Sequence, residues 1–238
     1  MKIVFTCSLL LAVALWRWLG VPPAAAALLA LIAVLAVRLA ISTNNFILAR
    51  RFGVPVPPRF ALGFAAWLKL YFGEFYASML QSSWVMPLAR ACMRTYPDSA
   101  GPPVLLLHGY GCNSGYWAQL QPLLDARRIS HAGLDLEPTL AGIDEYVPLI
   151  EHAVERLCAA TGSAKVIVVA HSMGGLAARA WMRERGIARV ARLITLGTPH
   201  HGTALAAFAP GRNAAQMCRS AGGEESAWLR ELASAEPP

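Results

Sequence analysis

Residues 165–175 read Lys165-Val166-Ile167-Val168-Val169-Ala170-His171-Ser172-Met173-Gly174-Gly175. Four β-branched residues in succession predict a strand buried on both faces, because a strand with one wet face would alternate apolar and polar positions. The run ends in small and polar residues, and residues 176–185 then show helical spacing. Ser172 therefore stands on a sharp strand-to-helix turn. The pentapeptide Ala170-His171-Ser172-Met173-Gly174 has the form G-x-S-x-G with alanine in first position. A serine hydroxyl is a poor nucleophile, so it has to be held clear of the sheet where a base can reach its proton; small Ala170 and Gly174 keep such a turn free of clashes. The following helix points its N-terminal dipole at developing negative charge. Ser172 is the candidate nucleophile, supported by His171 and its small neighbours.

Upstream, Val104-Leu105-Leu106-Leu107 is a second continuous apolar run, closed by His108-Gly109-Tyr110-Gly111. A glycine-rich turn after a strand lets backbone N–H groups point at a substrate oxygen. Two such donors, one here and one from the residue after the nucleophile, form an oxyanion hole. They are assigned to Tyr110 and Met173, whose backbones rather than side chains would donate. His108 is read as a structural residue bonding within its own loop, with Gly109 beside it. Residues 129–134 and 192–196 can form two further strands, and 116–127 and 143–160 have helical spacing. Strands alternating with helices imply a parallel sheet with helices on its faces and a site at the strands' C-terminal ends.

The rest of the chain has a different composition. Of the 238 residues 56% are hydrophobic and 15% charged, too apolar for an ordinary soluble domain. Residues 1–94 carry nine Lys/Arg against Glu74 alone, and residues 95–238 twelve against thirteen acids. A basic excess confined to the apolar half speaks for membrane topology and against nucleic acid as a partner. Residues 3–16 and 24–37 are two apolar runs separated by Arg17 and Pro22-Pro23, read as a transmembrane helical hairpin over residues 1–41; the competing reading is a secretory signal cleaved near Ala26. Lys2, Arg50, Arg51 and Arg59 put both ends on the cytoplasmic side, so a multi-pass protein of the bacterial inner membrane is expected, with a cytoplasmic catalytic domain, or a periplasmic one if a signal is cleaved. Residues 42–101 are expected to be a linker, broken at Asn44-Asn45, Gly53, Pro55, Pro57 and Pro58, then an amphipathic aromatic helix (Phe60, Phe64, Trp67, Leu68, Tyr71, Phe75, Met79) that lies in the lipid interface or packs on a core. Cys7, Cys92, Cys112, Cys158 and Cys218 are scattered and signal neither a disulfide framework nor a zinc site. No metal and no organic cofactor is implied.

Leu107-His108-Gly109, Ala170-His171-Ser172-Met173-Gly174-Gly175-Leu176 and Thr195-Leu196-Gly197-Thr198-Pro199-His200-His201-Gly202-Thr203, in that order, resemble the bacterial triacylglycerol lipases and esterases of the α/β-hydrolase fold. The Ala-x-Ser-x-Gly form is similar to that of the Bacillus-type lipases. The resemblance covers about residues 102–232 and implies a serine hydrolase acting on an acyl ester or lipid through an acyl-serine intermediate. It also implies an acid and then a histidine after the nucleophile. Asp144 is the last aspartate, and the only later histidines, His200 and His201, lie in a turn that the resemblance does not make catalytic.

The expectation is thus an α/β-hydrolase domain over residues 102–238, with four strands and C-terminally incomplete, preceded by the hairpin. A truncated chain is favoured over a catalytically inactive membrane interaction protein, because the elbow and oxyanion loop are intact. Acyl transfer to an acceptor other than water uses the same nucleophile. A rewired triad would take His200 or His201 as base and Asp135 or Glu137 as acid.

Overall fold

A computed structural model of the chain describes residues 2–53, 56–220 and 222–235, with the side chains of residues 2–7 and 52 outside that description. Pro55, the Cys7 side chain and the terminal Glu236-Pro237-Pro238 accordingly lie outside the described residues. The chain forms two units, residues 1–87 and 88–238.

In the first unit, α1 (Lys2–Leu19) ends at Gly20, whose φ of 66° lets the chain turn, and α2 (Pro23–Phe52) starts on Pro23, where a missing N–H costs nothing. The two helices pack on each other, with Ala26 and Ala30 buried. Among the residues whose side chains are described, one helix, Pro23–Arg51, is long and apolar enough to cross a membrane, and Ser8–Leu19 of α1 forms a shorter apolar segment.

The expected break at residue 42 does not occur. Asparagine inside a helix costs only a few tenths of a kcal/mol, roughly, and packing overrides it. The Thr43 hydroxyl bonds back to the Leu39 carbonyl at 2.8 Å and meets the Tyr71 hydroxyl at 2.6 Å, and Phe46 packs edge-on against Trp67 and Tyr71. These partners come from α3 (Phe64–Leu80), where Tyr71 is buried and serves packing within the unit, while Trp67, though it touches Phe46, stays exposed, as do Phe64, Phe72 and Tyr76. Phe60, expected in this helix, lies instead in a short 3-10 turn, Pro58–Phe60. A π-helical turn, Gln81–Val85, follows α3.

The second unit is a five-stranded sheet in the order β1-β3-β2-β4-β5, made of β1 (Met93–Arg94), β2 (Val104–Leu107), β3 (His131–Leu134), β4 (Val166–His171) and β5 (Val190–Leu196). β2 to β5 are the four expected parallel strands. β1 is antiparallel to β3, pairing Met93 with Ala132 and Arg94 with His131, and so moves the start of the unit before residue 102. Two residues with both side chains exposed have no periodicity to read.

Helices α4 (Gln121–Ala126), α5 (Val147–Thr161) and α6 (Met173–Arg185) alternate with the strands. Leu105 and Leu107 of β2 join a large core with Ile150, Val154 and Leu157 of α5, whereas Val104 and Leu106 face a smaller one with Trp117. That two-sided burial is why β2 and β4 read as unbroken apolar runs. β5 pairs with β4 through six registered residues and, among the described strands, has no second neighbour. Among the described residues no further named strand follows β5, and α7 (Arg212–Gln216) and α8 (Ala227–Ser234) fold back and bury Ala214, Leu229 and Leu232 in the large core.

Candidate active site

Ser172 follows the last residue of β4 and caps α6, with φ 51° and ψ −124°. A non-glycine residue with positive φ stores strain of about 1–3 kcal/mol, held only where the surroundings dictate it. Here Ser172 N–H donates to the Leu196 carbonyl at 2.9 Å and its carbonyl accepts from Gly175 N–H at 3.0 Å. The small neighbours are a steric necessity. A Cβ on Gly174 would stand 2.6 Å from the His108 carbonyl oxygen and 2.8 Å from that of Leu107, and one on Gly175 would collide with Thr198. Ala170 is fully buried beneath the turn.

The loop after β2 lies against the serine: a Cβ on Gly109 would be 2.9 Å from both Ser172 Cβ and His171 Nδ1. Among the described hydrogen bonds neither Tyr110 N–H nor Met173 N–H has a protein acceptor. The first follows Gly109 and the second opens α6, so the two expected donors flank Ser172. The Tyr110 hydroxyl is engaged elsewhere, donating to the Pro210 carbonyl at 2.6 Å.

The buried His108 has both ring nitrogens occupied. Leu136 N–H donates to Nε2 at 2.9 Å, so the proton sits on Nδ1, which donates to the Gly109 carbonyl at 2.8 Å. Burial holds its pKa below the ordinary histidine value. It thus bonds within its own loop through Nδ1 and to the segment after β3 through Nε2. His171 stacks on Tyr116, rings 4.1 Å apart and 15° from parallel, and its pKa is lowered by burial and then by His108. Its Nδ1 is buried without a hydrogen-bond partner, as is Thr198 Oγ1.

The expected alternative triad is not assembled. Arg179, a buried guanidinium on α6, donates to His200 Nδ1 at 3.2 Å, leaving Nε2–H for Thr195 Oγ1 at 3.2 Å. Arg179 lies six residues along α6 from Met173, about 9 Å up the axis. His201 pairs with Glu225 at 2.8 Å. Asp135 accepts from Ser114 N–H and lies 4.0 Å from His108 Nε2. Neither it nor Glu137 is bonded to His200 or His201. No described side chain hydrogen-bonds Ser172 Oγ.

Thr198 was read only as part of the Thr195–Thr203 motif, and Tyr116 and Arg179 were not picked out from sequence: an aromatic and an arginine in helices and loops carry no spacing signal. Among the described residues no cluster of three His, Cys, Asp or Glu side chains is gathered as metal ligands. Cys112, two residues after Tyr110, has its thiol pushed up to about 11 by burial, which disfavours the thiolate near neutral pH.

A family model described as the alpha/beta hydrolase fold matches residues 102–214. A triacylglycerol lipase of Burkholderia plantarii is 30% identical over 143 residues, covering 52% of this chain and 40% of that protein. The mature form of a Bacillus licheniformis lipase superposes with a TM-score of 0.51 at 21% identity, over 61% of this chain and 63% of that one. Its propeptide form gives the same TM-score at 20% identity, over 61% and 35%. The chain thus spans about two fifths of the length of the curated relative it matches.

Proposed function

We propose that this chain is a member of the α/β-hydrolase fold family through residues 102–214 and hydrolyses carboxylic esters of lipids with Ser172 as nucleophile. The observation that carries the proposal is the strained φ of Ser172 beside two acceptor-free backbone N–H groups. Ser172 Oγ attacks the ester carbonyl carbon, and its proton passes through solvent, no described side chain being bonded to Oγ, to the oxygen of the departing alcohol. The carbonyl oxygen takes up negative charge between Tyr110 N–H and Met173 N–H, in line with the N-terminus of α6, and collapse expels the alcohol to leave an acyl-serine. Water then attacks the acyl carbon and releases the acid. His108 and Gly109 shape the loop, Ala170 and Gly174 make room for the turn, and His171, held on Tyr116, walls its side. The long apolar helix Pro23–Arg51 supports membrane anchoring of such an enzyme, whose substrate would be an ester in the lipid phase.

The test is labelling with a fluorophosphonate probe together with p-nitrophenyl butyrate hydrolysis. Both are expected in the parent chain and absent from Ser172→Ala. Labelling that persists in that variant puts the nucleophile elsewhere.

One observation favours a second reading. Ser172 Oγ has no described histidine bonded to it, which is the arrangement of a protein that keeps the fold for interaction without turnover. A parent chain that binds a lipid ester yet resists the probe at every pH would carry that reading; transfer of the acyl group to an added alcohol faster than to water would make the chain an acyltransferase.

A further inference from the structure

The helical unit holds an open groove of about 450 Å3, walled by α1, α2 and the π-helical turn. Ala27, Leu31, Val34 and Arg38 line it from α2. Their spacing of four, three and four residues puts all four on one stripe of the helix. Leu9 of α1 closes the apolar wall, and Ser82 and Ser83 of the π turn add hydroxyls. Local π geometry inside a helix is often found at ligand sites. Ala27 and Arg38 are about 16 Å apart along the axis, within the reach of a long-chain acyl group.

Arg38 is half-buried, and no described carboxylate lies within 4.0 Å of it. Glu74, the one acid in residues 1–94, is exposed on α3 and makes no ion pair with it. A guanidinium at the end of an apolar wall is costly unless an anion meets it. The unit contains no acid placed to do so, and the counter-ion must come from outside. One cation calls for one negative charge, and the planar fork of arginine matches a carboxylate through two parallel hydrogen bonds. The apolar stripe below calls for a tail.

We propose that this groove binds a long-chain fatty carboxylate, its head group on Arg38 and its chain along Val34, Leu31, Ala27 and Leu9. The site is separate in sequence from Ser172 and does not depend on turnover there.

The experiment uses the full chain in nanodiscs and in detergent, with a diazirine-bearing palmitic acid as probe and the labelled peptides mapped by mass spectrometry. Saturable labelling is expected within residues 8–12 and 27–38, equal in the parent and in Ser172→Ala. Palmitate should compete at least tenfold better than hexadecanol of the same chain length. Arg38→Gln should weaken labelling at least tenfold and Arg38→Lys much less, with helix content by circular dichroism checked for each. Leu31→Trp, which fills the groove and keeps the charge, should block labelling. Unchanged labelling in Arg38→Gln, equal competition by hexadecanol, or labels confined to residues 104–212 would each overturn the proposal. Stronger competition by hexadecyl phosphate would overturn the carboxylate assignment.

Discussion

Leu136 donates its backbone N–H to Nε2 of His108 at 2.9 Å, and this one bond fixes the histidine as neutral, with its proton on Nδ1. Protonating Nε2 would place two donors face to face inside the protein. The residue that opens the glycine loop beside Ser172 is therefore a pH-sensitive fastener.

The sign of its effect follows from the depressed folded-state pKa. Below the ordinary value of 6.5 the unfolded chain takes up a proton that the folded chain refuses, so the contribution is fully present above 6.5 and is lost as pH falls toward the folded value. His171, also depressed by burial, acts in the same direction. Tm should fall between pH 7.5 and pH 5, and His108→Gln should flatten that fall while lowering Tm at pH 7.5. Parallel profiles for the two proteins would assign the pH dependence to other groups.

Gly111 and Gly174 separate two reasons for glycine. Gly111 has φ 66° with open space around it, so Gly111→Ala should cost about 1–2 kcal/mol of left-handed strain and little probe reactivity. Gly174 has helical φ, but its Cβ would press on the His108 and Leu107 carbonyls, which are backbone and cannot rotate away. Gly174→Ala should cost about 1–3 kcal/mol and also displace Ser172 from its loop. Denaturant unfolding paired with fluorophosphonate labelling distinguishes them; a Gly174→Ala protein of parental stability and reactivity contradicts the crowding.

Ser172, Ala170 and Gly174 were legible because a two-sided strand, a small-residue turn and a helix stand side by side in sequence, each reinforcing the others. The same logic found β2 to β5, whose burial on both faces removes alternation and leaves plain apolar runs. It failed at Asn44-Asn45, where a weak local preference lost to the contacts of Thr43 and Phe46 with residues more than twenty positions away. It failed again at β1, whose existence depends on β3 supplying an edge. Residues 204–226 form only short turns and a five-residue helix, whereas α8 is amphipathic, capped by Ser226 and received by the core at Leu229 and Leu232.

That C-terminal stretch carries a prediction of its own. An exposed tail would tolerate truncation of its side chains, whereas Leu229 is fully buried. Leu229→Ala should destabilise the unit by about 2–5 kcal/mol, as core leucines do. Phe208→Ala, at an exposed site, should change stability by less than about 0.5 kcal/mol. Equal and negligible effects in urea unfolding would mean that α8 is not part of the core.

The last prediction addresses which atom of Tyr110 acts. The phenol donates to the Pro210 carbonyl at 2.6 Å, which ties the loop to the segment before α7, while the backbone N–H of Tyr110 has no protein acceptor. If the backbone holds the oxyanion, Tyr110→Phe keeps the donor and removes only a tether worth about 0.5–1.5 kcal/mol to stability. The rate of p-nitrophenyl butyrate hydrolysis should then change by no more than a few-fold, with Tm slightly lowered. If the hydroxyl were the donor, its loss should lower kcat by roughly 10²–10³, the usual penalty for deleting one oxyanion contact. Measuring kcat and KM separately makes the two outcomes exclusive, because a loosened loop raises KM, whereas a lost transition-state contact lowers kcat alone.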